Sequence, residues 1–149
     1  MSVSGRIAAA VLGLLLGAQA IGKLMDMRLY AVALERFRAF PKEWTAIVAA
    51  SWVLIELAAL AGLGLAAARP TRIVFLLGAA AATVDALAYA LLTIGTKVRG
   101  IEVFNCTCFG AFLPQRLSVS VLIQDLVMVG WTLWTLRSAL RFGVETAGP

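Results

Sequence analysis

The chain has 149 residues, of which 62% are hydrophobic and 14% charged, and its mean hydropathy is +0.93. A soluble domain is nearer half apolar and a quarter charged, and one of this size still leaves about a third of its chain surface in water. The excess must face lipid, which excludes an ordinary cytosolic enzyme domain. The chain has no histidine and a net charge of +5. Imidazole-held metals, histidine-ligated haem and histidine acid–base catalysis are therefore excluded. The basic residues sit between apolar runs, which suits anionic lipid headgroups and not nucleic acid.

Four apolar runs predict four spans in a single domain, 1–149. The first, Ile7–Gly22, extends to about residue 24 if the Lys23 side chain snorkels to the headgroups as an interfacial anchor. Its Ala18-Gln19-Ala20 resembles a signal-peptidase site, but further spans follow, so a retained helix is expected. Gly13 and Gly17 form a G-x-x-x-G suited to close helix packing. In Lys23–Glu43, Met27, Tyr30, Leu34 and Phe37 recur at 3-4-3 spacing, while Arg28, Glu35 and Arg36 fall elsewhere. That pattern predicts an amphipathic helix lying in the interface, ended by Pro41, with Trp44 at headgroup depth. The spans Trp44–Ala68, Ile73–Thr96 and Leu117–Leu136 are about 30–37 Å long, enough to cross the hydrocarbon core. Ala49, Ala58, Gly62, Gly78, Ala82 and Ala86 are candidates for helix–helix contact. The predicted fold class is an all-α integral membrane protein, a four-transmembrane-helix bundle with an interfacial amphipathic helix between helices 1 and 2.

Glu56 is the midpoint of the second span, Asp85 is near the midpoint of the third, and Gln124-Asp125 fall near the middle of the fourth. A charged Asp at the bilayer centre costs about 2.5–3.5 kcal/mol on insertion scales. No Lys or Arg lies at matching depth by simple counting. The acids must then be protonated, hydrogen-bonded or facing a wet cavity, with Lys23 and Gln19 as the nearest partners. Such a set could form a proton path, contact a quinone headgroup, or act as interhelical hydrogen-bond glue.

The loop Lys97–Arg116 carries Phe104-Asn105-Cys106-Thr107-Cys108-Phe109-Gly110. Two thiols one residue apart close only a small, strained ring, and strained disulfides are the easily exchanged ones. Lys97, Arg99 and Arg116 could stabilise a thiolate, with Glu102 working against them. Two thiolates without histidine fall short of the four ligands that zinc takes, so no metal site is expected within one chain. A site shared in a dimer, or Cu(I) on two thiolates, stays open as an alternative.

Cys106-Thr107-Cys108-Phe109-Gly110 before the last span resembles the C-G-C-F-G signature of the methylamine utilisation protein MauE family. That family falls within the wider DoxX-like group of four-helix membrane proteins. Gly22-Lys23-Leu24 and Glu56 fit the same resemblance, which covers about Ile7 to Leu136. Thr107 stands where the family usually has glycine. The resemblance implies a membrane partner for an extracytoplasmic thioredoxin-like protein. It also implies support for maturation of disulfide-containing proteins such as the methylamine dehydrogenase small subunit. DoxX-like relatives are associated with thiol, thiosulfate and quinone redox systems.

The expected function is thiol–disulfide exchange at Cys106 and Cys108, with Glu56, Asp85, Asp125, Gln124 and Lys23 as a polar interior. If the chain is an enzyme, it is a thiol–disulfide oxidoreductase; a quinone is the one cofactor the interior could serve. Competing readings are a small transporter or metal-handling protein using the cysteines as soft ligands, and a non-catalytic membrane subunit of a redox complex. The expected location is the bacterial inner membrane. Charge counting is indecisive: the loop side has eight basic residues and the terminal side has five, but the loop side is longer. A C-x-C disulfide needs an oxidising compartment, so the cysteine loop is expected outside.

Overall fold

The computed structural model describes residues 3–69, 71–104 and 116–145. Its elements in chain order are α1 (Val3–Leu24), α2 (Met27–Arg36), a 3-10 turn (Lys42–Trp44), α3 (Thr45–Ala68), α4 (Arg72–Val98) and α5 (Val119–Glu145). Four helices of 20–27 residues are long and apolar enough to cross a membrane: Gly5–Leu24, Lys42–Ala68, Arg72–Val98 and Val119–Phe142. The all-α membrane bundle read from hydropathy is the fold. Helix α3 packs on both α1 and α4, while α5 packs chiefly on α4.

The bundle is small inside and bulky outside. Ala9, Ala20, Ala49, Ala59, Ala66, Ala79 and Ala82 are buried, while Leu14, Leu54 and Leu91 are about two-thirds exposed. Lipid solvates leucine as well as protein does, so helices associate through close backbone approach. Gly13 meets Leu63, and Gly17 meets Leu60, where α1 crosses α3. Ala58 is a correction to the sequence reading: it is exposed, and its neighbour Ala59 turns inward instead.

Gly62 and Gly78 mark the tightest α3–α4 contact. A Cβ on Gly62 would lie 2.5 Å from the Gly78 Cα. Overpacking of this kind costs about 1–3 kcal/mol. Gly78→Ala should therefore lower the unfolding midpoint of the purified protein. Gly64→Ala, where nothing lies within 4 Å, should leave it unchanged or raise it, since alanine is the better helix former.

Helix α2 starts at Asp26, whose side chain accepts from the Leu29 N–H at 2.8 Å. This N-cap satisfies one of the helix's orphan donors. Its apolar stripe is spent on the bundle more than on lipid: Tyr30, Leu34 and Phe37 are buried against Ala20, Trp52 and Tyr89. Leu29 and Val32, roughly two-fifths exposed, remain for the interface. Arg99 at the end of α4 ties the exit of α2 in place. Its guanidinium donates to the carbonyls of Phe37 and Arg38, both at 2.9 Å, and to Gly95 at 2.9 Å. At the opposite end, Arg6 donates to Ala67 O at 2.8 Å and Ala68 O at 3.3 Å, closing the carbonyl end of α3.

Candidate functional site

Three helices carry polar groups at helical i, i+4 spacing: Gln19 and Lys23 on α1, Trp52 and Glu56 on α3, Asp85, Tyr89 and Thr93 on α4. Such spacing puts each set on one helix face, and the three faces converge.

Lys23 and Glu56 form an ion pair, both side chains fully buried. The Lys23 Nζ also lies 4.6 Å from the ring centroid of Tyr89 and 5.2 Å from that of Tyr30. The two tyrosine hydroxyls are 2.9 Å apart. Trp52 stacks on Tyr89 at a centroid distance of 4.6 Å and tilt of 47°, and its Nε1 donates to Asp85 Oδ1 at 2.8 Å. One step along, Thr93 donates to Asp125 Oδ2 at 2.7 Å. A desolvated ammonium between two ring faces gains about 2 kcal/mol or more from each good contact. That gain and the carboxylate offset part of the cost of leaving water. The remaining lone pair is not satisfied: Glu56 Oε2 is buried with no hydrogen-bond partner among the described residues.

Two expectations change here. Lys23 is not a snorkelling anchor, and a basic residue does lie at the depth of the acids. Glu56 sits eleven residues into α3, about 16 Å along the axis. Helix α1 ends lower than α3 begins, and α2 folds over that end, so Lys23 is enclosed where headgroups were expected. Glu56 and the tyrosines supply the partners that water would have given it.

Of the residues singled out from sequence, Lys23, Glu56 and Asp85 fall in one cluster; Asp125 and Gln124 adjoin it beside Gln19. Cys106 and Cys108 lie outside the described residues. The chain leading to them is anchored on the cluster: Val103 is buried in the same core as Tyr30, Trp52 and Tyr89. Leu117 N–H donates to Val103 O at 2.9 Å, tying together the two ends of the cysteine-bearing segment. Arg99 has its guanidinium engaged on backbone carbonyls, and Arg116 stands over the Phe104 ring at 5.4 Å. Trp52, Tyr30, Tyr89 and Thr93 were missed as site residues. The i, i+4 spacing of tryptophan and tyrosine with the intramembrane acids was the available signal. Among the described residues no three His, Cys, Asp or Glu side chains group as metal ligands.

The family model described as methylamine utilisation protein MauE matches residues 1–138. No curated protein and no solved structure matches the chain.

Proposed function

The chain belongs to the MauE family, and we propose that it is a membrane thiol–disulfide exchange protein working with an extracytoplasmic thioredoxin-like partner. The family carries a role in methylamine utilisation and a membrane setting. The observation that carries the finer reading is the Cys106-Thr107-Cys108 pair, on a segment whose ends are pinned to each other and to the buried cluster. A thiolate of the pair attacks the partner's disulfide, a mixed disulfide forms and one partner thiolate leaves. The second cysteine then attacks its neighbour's sulfur, the partner departs as a dithiol, and the pair closes as a disulfide. The reverse sequence oxidises the partner. The physiological target is a disulfide-containing extracytoplasmic protein of methylamine metabolism, the dehydrogenase small subunit being the one that the family resemblance implies.

Within this reading the interior cluster stiffens the core in which Val103 is anchored and gives protons a path. Each acid has a partner, Lys23, Trp52 or Thr93, which equally favours interhelical glue. The two roles separate experimentally. Asp85→Asn, which breaks no ion pair, should preserve folding but slow exchange; full activity at every pH tested would make this acid glue.

The redox state tests the proposal as a whole. Alkylation-shift analysis of membranes should find Cys106 and Cys108 as a disulfide that reductant opens. Reduced intact cells should react with membrane-impermeant maleimide, placing Lys97–Arg116 outside and both termini in the cytoplasm. Permanently free thiols, or labelling only after lysis, would overturn the redox or the topological part respectively.

A further inference from the structure

Lys23 is the penultimate residue of α1, where a long side chain ordinarily reaches water. It and its partner Glu56 are nevertheless fully buried. Helix α2 is what covers them. The Tyr30 ring lies 5.2 Å from the Lys23 Nζ, and its hydroxyl meets that of Tyr89 at 2.9 Å. Leu34 and Phe37 fill the same core.

Helix α2 has ten residues, a joint at each end, and α3 as its main neighbour. A helix this short is marginal by itself, so its position depends on what holds it. The first joint is the Met25-Asp26 turn, and the second runs from Phe37 to Pro41. In the second, Arg38 has a φ of +49°, and it is the one non-glycine among the described residues with a positive φ. That left-handed region is disfavoured for L residues and persists only where the surroundings enforce it.

Arg99 supplies the enforcement. Its guanidinium donates to the Phe37 and Arg38 carbonyls, both at 2.9 Å, while its Nε is fixed on Gly95 O at 2.9 Å. The end of α2 thereby receives a cation, the charge that a helix C-terminus favours. Arg99 is also the C-cap of α4 and precedes Gly100, whose φ is +67°. It therefore stands at the root of the cysteine-bearing segment.

The covered arrangement has a cost that uncovering removes. Glu56 Oε2 is buried without a hydrogen-bond partner among the described residues. A buried acceptor in that condition has lost its hydration and gained nothing in exchange. Water entering beneath α2 would satisfy it.

We propose that α2 is a hinged cover over the Lys23–Glu56 pair, latched by Arg99, whose opening admits water from the loop side. Hinges of this kind are short joints that absorb a backbone change while the element between them moves as a unit. The orphaned Glu56 oxygen and the strained Arg38 favour opening. The Arg99 hydrogen bonds, the tyrosine contact and the apolar stripe of α2 oppose it. The device needs no redox chemistry at the cysteines, so it stands or falls separately from the exchange reading.

The test uses the full chain in lipid nanodiscs, a water-soluble amine-acylating reagent and peptide mass spectrometry. The chain has three lysines, and the exposed Lys42 and Lys97 serve as internal standards for Lys23. Arg99→Gln should raise the relative labelling rate of Lys23 about tenfold, the effect of losing hydrogen bonds from a charged donor. Arg6→Gln removes comparable carbonyl contacts at the opposite end and should leave that rate unchanged. Amide hydrogen exchange separates local opening from unfolding. In Arg99→Gln, α2 should exchange faster while the mid-span amides of α3 and α4 do not. In the unaltered protein, α2 should exchange as a block ahead of those amides, which covers the case of a variant that fails to fold. Three results would each overturn the proposal. They are Lys23 labelling indifferent to Arg99→Gln, a rise accompanied by faster exchange throughout α3 and α4, and α2 amides protected as long as the mid-span ones.

Discussion

Replacing Lys23 by Met should destabilise the bundle by about 3–5 kcal/mol, the cost of removing one partner from a buried ion pair. Glu56 would be left fully buried, with its Oε1 losing the ammonium and its Oε2 already without a partner. The tyrosine rings that face the Lys23 Nζ at 4.6 and 5.2 Å would lose their cation as well. The double replacement Lys23→Met/Glu56→Leu should recover most of this loss, because a well-packed apolar pair often equals a buried ionic one. A double-mutant cycle on reversible unfolding in mixed micelles measures the coupling. Single changes that merely add would show that the pair is not coupled.

Cys106→Ser and Cys108→Ser should each reduce exchange to the uncatalysed level, since the reaction passes through both sulfurs in turn. The two variants should differ in what they leave behind. The one that keeps the attacking sulfur forms the mixed disulfide and cannot resolve it, whereas the other never forms it. A soft-metal site predicts the opposite pattern: both variants lose bound metal alike and neither accumulates an adduct. The basic residues of α2 and its flanks, Arg28, Arg36 and Arg38 among them, lie on the cysteine side and would steer an acidic partner. Exchange should accordingly slow as ionic strength rises.

Much of the fold was legible in sequence because the bilayer allows few solutions. A run such as Trp44–Ala68 must be helical to satisfy its backbone in lipid, and Met27, Tyr30, Leu34 and Phe37 at 3-4-3 spacing mark the apolar face of α2, which was expected in the interface and packs on the bundle instead. Glu56, Asp85 and Asp125 announced a polar interior by their cost alone. Hydropathy does not reveal depth offsets between helices. Lys23 lies near the end of its span, where snorkelling is the ordinary outcome, and only the fold of α2 over that end encloses it. Nor does it separate Ala58 from Ala59, since one step of 100° decides which meets lipid. Trp52 and Tyr89 were not singled out because their polar atoms matter only when an acid faces them across a helix pair, as Asp85 faces Trp52.

The most direct measurement of the central claim is a non-reducing gel of the two serine variants expressed with the cell's own extracytoplasmic proteins, followed by mass spectrometry of any shifted band. The account predicts a reductant-sensitive adduct with a thioredoxin-like protein in one of Cys106→Ser and Cys108→Ser and little or none in the other. No adduct in either variant, with stoichiometric metal bound to the unaltered chain, would contradict it.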